Sequence, residues 1–219
     1  MPADMPVEVK ICGLDREEAV DAAVAGGARF TGFVFYPPSP RNLTPERAAQ
    51  LTARVPSSVI KVGLFVDPTD AELDAAIALN DLDMIQLHGS ETPARAGEIK
   101  RRAGRAVMKA IKIANARDLA AAQLYYDVAD RILFDALAPT SMANALPGGN
   151  ALSFDWTLLD GLSLPLPWML AGGLTADNLA EAVRLTLAPA VDVSSGVEER
   201  PGVKSLAKIA AFLAAARTI

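Results

Sequence analysis

The sequence predicts an α/β chain folded as one (β/α)8 TIM barrel, and three observations carry that expectation. Eight short, β-rich apolar runs alternate with longer alanine- and leucine-rich stretches of helical spacing, the pattern of parallel strands joined by crossover helices. Most runs start roughly 22 to 28 residues after the one before, the length of a strand, a helix and their loops. The chain has 219 residues, close to the about 200 that the smallest eight-unit barrels need. A doubly wound open sheet is the alternative that counting units leaves standing. No G-x-G-x-x-G follows the first run, which weakens a dinucleotide-binding version of it.

The runs, in order, are Val7–Ile11, Thr31–Phe35, Val59–Val66, Met84–Leu87, Ala106–Ile111, Arg131–Phe134, Trp168–Ala171 and Ala190–Val193. The first helix is expected over Asp15–Ala25, with Asp15 as N-cap and Gly26-Gly27 as the stop. Thr44-Pro45 supplies a cap and a proline at the first helical position of the second. Asp67-Pro68-Thr69 repeats the theme before a helix over Ala71–Leu79. Further helices are read near Arg117–Tyr126, over Thr175–Leu185 and over Lys204–Arg217, with a short one near Asp155–Leu159. The longer gap between the sixth and seventh runs leaves room for an extended loop. Pro147-Gly148-Gly149 and Gly161–Pro167 are loop signals within one domain, 1–219, whose residues 1–6 form a short N-terminal extension.

Hydrophobic residues make up 51% of the chain and charged residues 21%, enough apolar material for a large core. The net charge is −5 with no lysine/arginine block, which disfavours nucleic-acid binding. That charge also gives no long-range attraction to an anion, so a phosphorylated small molecule must be held by local donors. No apolar stretch has membrane-span length. Met1 to Pro6 lacks the basic and apolar regions of a secretion signal. One cysteine, Cys12, permits no internal disulfide. A cytoplasmic protein, monomer or homodimer, is expected.

In barrels of this kind the active site lies at the C-terminal ends of the strands. The residues ending the runs are Cys12-Gly13, Tyr36–Arg41, Asp67, His88-Gly89, Lys112, Asp135, Gly172-Gly173 and Ser194-Ser195-Gly196, richer in titratable groups than the runs themselves. Gly172, Gly173, Ser194, Ser195 and Gly196 follow the seventh and eighth runs, where barrels often bind phosphate through backbone N–H groups. Each loop alone also reads as an ordinary turn. Cys12 reads either as a small buried hydrophobe or, at a strand end, as a nucleophile or base. Asp135, above apolar Ile132-Leu133-Phe134, reads as a proton donor or as a loop cap. His88 is the single histidine and gives no zinc pattern; it reads as a supporting hydrogen-bonding group. Arg41, in a proline-stiffened loop, reads as a carboxylate clamp or a solvated charge.

Over about residues 7 to 213 the chain resembles phosphoribosylanthranilate isomerase. The resemblance rests on the order of Lys10-Ile11-Cys12-Gly13, Pro38-Ser39-Pro40-Arg41, Gln86-Leu87-His88-Gly89, Leu133-Phe134-Asp135-Ala136, Phe154-Asp155-Trp156, Leu170-Ala171-Gly172-Gly173-Leu174 and Asp192-Val193-Ser194-Ser195-Gly196-Val197-Glu198. It implies a cofactor-free, metal-free Amadori rearrangement in tryptophan synthesis, with Cys12 as general base and Asp135 as general acid. It further implies Arg41 on the anthranilate carboxylate, His88 at the substrate, the glycine and serine loops on the phosphate, and Lys10 and Asp192 in support. The family's Gly-Gly-Thr-Gly loop departs here to Gly148-Gly149-Asn150-Ala151, and an aspartate often found after Lys204 is Ser205. A related phosphate-binding barrel is the competing enzyme reading. An epimerase of that kind needs more histidines than one, and a bifunctional isomerase relies on paired aspartates. A non-catalytic phosphate binder would need neither Cys12 nor Asp135.

Overall fold

The computed structural model describes residues 6–138, 146–150 and 152–219. Eight parallel strands close into a barrel in chain order: β1 (Glu8–Cys12), β2 (Phe30–Phe35), β3 (Ile60–Phe65), β4 (Met84–Leu87), β5 (Ala106–Ile113), β6 (Arg131–Ala136), β7 (Trp168–Leu170) and β8 (Ala190–Val193). Closure is made by β8 against β1, with Lys10 opposite Asp192 and Ile11 opposite Val193. An open sheet is thereby excluded. Six strands lie within one residue of the expected runs at each end. The fifth and sixth run further, because the pairing continues through Lys112 with Asp135 and Ile113 with Ala136. Asp135 therefore sits inside β6 rather than in the loop beyond it.

The helices follow their caps. The Thr44 hydroxyl accepts from the Arg47 N–H ahead of α2 (Pro45–Thr52). Thr69 and Glu72 form a reciprocal capping box that opens α3 (Asp70–Leu79). The helix α4 (Pro93–Ala103) was not anticipated from periodicity, although Thr92-Pro93 carries the same cap signature as Thr44-Pro45, and left-handed Gly104 ends it. Asp15 does not cap α1 (Glu17–Ala25). Arg16 holds that position without a side-chain hydrogen bond. Arg47 instead grips the Glu17 carboxylate and the Asp15 carbonyl, drawing this corner toward α2. The expected helix near Arg117–Tyr126 is a 3-10 helix over Ala116–Tyr125, and a second covers Trp156–Leu159 behind Asp155. Next come α5 (Leu179–Thr186) and α6 (Leu206–Ala216). The latter starts later than expected because Val203–Lys204 (β10) pairs antiparallel with Glu198–Arg200 (β9).

Strand alternation divides the core in two. One set of side chains faces the helices. The other set, including Phe30, Val62, Met84, Met108, Leu133 and Met169, fills the barrel interior as a separate cluster. Cys12, Val34 and Leu64 form the next layer up. The inward parity then carries polar groups at the barrel top: Cys12 two residues after Lys10, His88 two after Gln86, Asp135 two after Leu133, and Ser194 two after Asp192. Burying each interior Leu, Met or Phe contributes about 1.5–3 kcal/mol, so the apolar lower barrel stabilises a rim that carries chemistry. Among the described residues no helix is long and apolar enough to cross a membrane.

Candidate active site

A cleft of about 770 Å³, including its open mouth, lies over the C-terminal ends of the strands. Ten of the eleven residues expected in the site line it: Cys12, Arg41, His88, Asp135, Gly172, Gly173, Asp192, Ser194, Ser195 and Gly196. Lys10 is fully buried just beneath. Asp67 and Lys112, which also end their strands, are not part of the lining. Apolar Val34, Leu64, Val66 and Leu174 supply much of the wall.

Cys12 ends β1 with its side chain inward. Lys10, on the same face, donates from Nζ to Asp192 Oδ1 at 3.0 Å. Burial pushes the Cys12 thiol up from its ordinary value, while the Lys10 charge pulls the other way. Burial works against the Lys10 ammonium too, but the charges of Asp192 and Cys12 prevail and hold it above its ordinary value. Gly32 lies opposite Cys12 on β2. A Cβ there would fall 2.9 Å from Lys10 Nζ and 3.1 Å from Cys12 Sγ and crowd both side chains.

Asp135 projects from β6 and is buried. Its Oδ1 accepts the Ala136 N–H at 2.9 Å, and its Oδ2 lies 3.1 Å from His88 Nε2. The other ring nitrogen, Nδ1, is 2.9 Å from Gln86 Nε2. Both nitrogens of His88 thus face protein partners.

Arg41 reaches the cleft from the loop after β2. Its Nε and Nη2 grip Glu198 Oε1 and Oε2 at 2.7 and 2.8 Å, and Nη2 also donates to the Gly149 carbonyl at 3.3 Å. The fork is turned onto protein, and the Nη1 edge lies against Gly149. Fully buried Lys204 donates to the same Glu198 at 2.7 Å and to the Ser194 carbonyl and hydroxyl at 3.0 and 3.2 Å. Burial alone would raise the Glu198 carboxyl, yet the Arg41 hydrogen bonds and the Lys204 charge bring it below its ordinary value. Neither Glu198 nor Lys204 was singled out from sequence. Their signal is the charged Glu-x5-Lys spacing after the eighth barrel strand, which reads equally as surface.

The glycine and serine loops meet behind these groups. Gly173 is left-handed at φ +65°, and a Cβ there would fall 2.9 Å from the Leu152 carbonyl. The loop from Leu146 to Asn150 lines the cleft as well. Asn150 closes it, accepting from the Leu146 N–H at 3.0 Å and donating to the Leu146 carbonyl at 2.6 Å. Asn150 thus closes its loop side chain to backbone, where the expected family residue is threonine. Ala151, the other departure, lies outside the described residues.

The family model for N-(5'-phosphoribosyl)anthranilate isomerase matches residues 9–215. The chain belongs to the phosphoribosylanthranilate isomerase family. It is 57% identical over 213 residues to N-(5'-phosphoribosyl)anthranilate isomerase of Paramagnetospirillum magneticum, covering 97% of this chain and 98% of that relative. It is 58% identical over 215 residues to the protein of that name from Rhodospirillum centenum, covering 98% and 100%. Among solved structures, phosphoribosyl anthranilate isomerase from Thermotoga maritima matches with a TM-score of 0.84 at 34% identity, over 97% of this chain and 100% of that one. A phosphoribosyl anthranilate isomerase in complex with reduced 1-(o-carboxyphenylamino)-1-deoxyribulose 5-phosphate matches at 0.81 and 33%, over the same shares. Membership of this isomerase family agrees with the closed eight-stranded barrel.

Proposed function

We propose that this single-domain barrel converts N-(5'-phosphoribosyl)anthranilate to 1-(2-carboxyphenylamino)-1-deoxyribulose 5-phosphate, with Asp135 as general acid and Cys12 as general base. The observation that carries the roles is the pairing of two buried proton-transfer groups, on β1 and β6, in one apolar-walled cleft. Asp135 gives its proton to the ribose ring oxygen. The C1–O bond breaks as the anthranilate nitrogen lone pair forms a C=N bond, leaving a protonated Schiff base. Cys12 takes the proton from ribose C2, and the electrons of that C–H bond form C1=C2 while the C=N electrons return to nitrogen. The resulting enolamine tautomerises to the aminoketose. Carbon is neither gained nor lost, and one acid and one base balance the protons.

Arg41 holds the anthranilate carboxylate in this reading, through the guanidinium edge that Glu198 leaves uncovered. Gly172, Gly173, Ser194, Ser195 and Gly196 hold the phosphate, with Lys204 bracing Ser194 from beneath. His88 acts beside Asp135, and Lys10 with Asp192 braces Cys12. The reaction is a step of tryptophan synthesis carried out in the cytoplasm by a monomer or homodimer. The test is turnover. Purified protein is mixed with freshly formed N-(5'-phosphoribosyl)anthranilate and excess chelator, and the fall in substrate fluorescence is followed with identification of the aminoketose product. Catalytic turnover unaffected by chelator is expected. No turnover contradicts the reading, and turnover abolished by chelator contradicts its metal-free chemistry.

A further inference from the structure

We propose that Gln86 is a positioning residue for the acid, setting the tautomer of His88 so that the ring donates to Asp135 rather than competing for its proton. This rests on Asp135 being the general acid. Gln86 is fully buried in the barrel interior, and its strand neighbours across the sheet are Leu64 and Met108. Its amide nitrogen lies 2.9 Å from His88 Nδ1, and its carbonyl oxygen has no partner among the described residues. A polar side chain placed in an apolar interior with one end unmet is costly, so the contact at its other end must matter.

The direction of that contact follows from counting donors. With the amide nitrogen toward the ring, one of its two N–H donors finds an acceptor and the carbonyl is left without a partner among the described residues. Rotated by half a turn, the carbonyl would face the ring and neither N–H donor would meet its nitrogen. A buried N–H without an acceptor is the rarer defect. The nitrogen therefore faces His88, Nδ1 accepts, and the neutral ring keeps its single proton on Nε2. From there it donates across 3.1 Å to Asp135 Oδ2, while the Ala136 N–H donates to Oδ1.

The consequence is chemical. When Asp135 gives its proton to the substrate, negative charge appears on a carboxylate whose two oxygens already face donors. That is preorganised stabilisation of the charge that develops. In the other tautomer Nε2 would be a bare acceptor at the same distance. It would then draw the acid's proton away from the substrate.

One histidine in the chain makes the test clean. Protein with ¹⁵N-labelled histidine gives a single pair of ring-nitrogen signals, and their shifts report which nitrogen carries the proton. Near neutral pH the wild type is expected to show Nε2–H with bare Nδ1. Gln86→Glu puts an acceptor at Nδ1, so the proton moves there and kcat falls at least about tenfold with KM within about threefold. Gln86→Met keeps the volume without polarity; it gives a mixed tautomer and a smaller kcat loss. A wild-type spectrum with Nδ1–H overturns the proposal whatever the variants do. Reversal in Gln86→Glu with unchanged kcat also overturns it, as does an unmixed Nε2–H spectrum in Gln86→Met. Asp135→Asn is run beside them. If that variant keeps its rate, the assignment of the acid fails, and the spectra still decide the tautomer.

Discussion

Cys12 occupies a site where two physical effects oppose each other. Burial favours the neutral thiol, and the ammonium groups of Lys10 and Lys204 favour the thiolate. Burial is the larger, so the folded-state value lies above the ordinary one and the thiolate is a minority at neutral pH. Alkylation of this lone cysteine by iodoacetamide is expected to accelerate about tenfold per pH unit through and beyond neutrality. Mass spectrometry reads the rate, and a plateau already reached below about pH 7 would show that the lysines prevail. The sign for stability agrees: above the ordinary thiol value the unfolded chain releases this proton and the fold retains it, so stability falls as pH rises there. Gly32 tests the geometry from the other side of β2. Gly32→Ala places a methyl group 2.9 Å from Lys10 Nζ and 3.1 Å from Cys12 Sγ. Overpacking of this kind costs about 1–3 kcal/mol. Because the strain falls on Cys12, the proposed base, kcat is expected to drop at least about tenfold, measured beside a denaturant midpoint. A stability loss without a rate loss would mean that Cys12 tolerates displacement.

At the level of elements, caps and alternation were legible and contacts between distant segments were not. Thr44-Pro45 and Thr69 mark their helices in sequence because a cap is a local hydrogen bond. Thr92-Pro93 carries the same mark, but the polar residues between Pro93 and Ala103 hide the apolar stripe that defines a helix face. Asp15 looked like a cap, and a tertiary contact from Arg47 made it something else. The C-terminal ends of the runs put Cys12, His88 and Asp135 at the barrel top from sequence alone. It does not show that Glu198, more than 150 residues from Arg41, closes on the Nε–Nη2 edge of its guanidinium. Asp135 reads as the residue that ends the sixth run, and it lies inside β6 because strand pairing at the barrel rim, with Lys112 opposite, depends on the neighbouring strand. The capping box at Thr69 gives a test confined to its element. Thr69→Ala is expected to lower stability by about 1 kcal/mol in chemical denaturation with kcat unchanged, because α3 supplies no cleft residue. A rate loss would tie α3 to the site.

On the scale of the whole molecule, a net charge of −5 accompanies a phosphorylated, carboxylated substrate. Local cations make the difference. Lys10, Lys204 and Arg41 cluster at and beneath the cleft, each already partnered by Asp192 or Glu198. Such a site binds at short range and does not steer from afar. Raising ionic strength from about 0.05 to 0.5 M is therefore expected to change kcat/KM by less than about threefold, with no steep decline. A steep decline would reveal a steering field that the composition does not suggest. The barrel divides its labour, with apolar layers below and inward polar residues above, and the proposed acid and base stand on different strands, β6 and β1. The most direct test of that account compares Cys12→Ser and Asp135→Asn with wild type in kcat and in affinity for the reduced product analogue. Both variants are expected to lose about 10²–10⁴-fold in kcat, with analogue affinity within a few fold of wild type. Either variant keeping a rate within about tenfold of wild type would contradict the acid–base assignment.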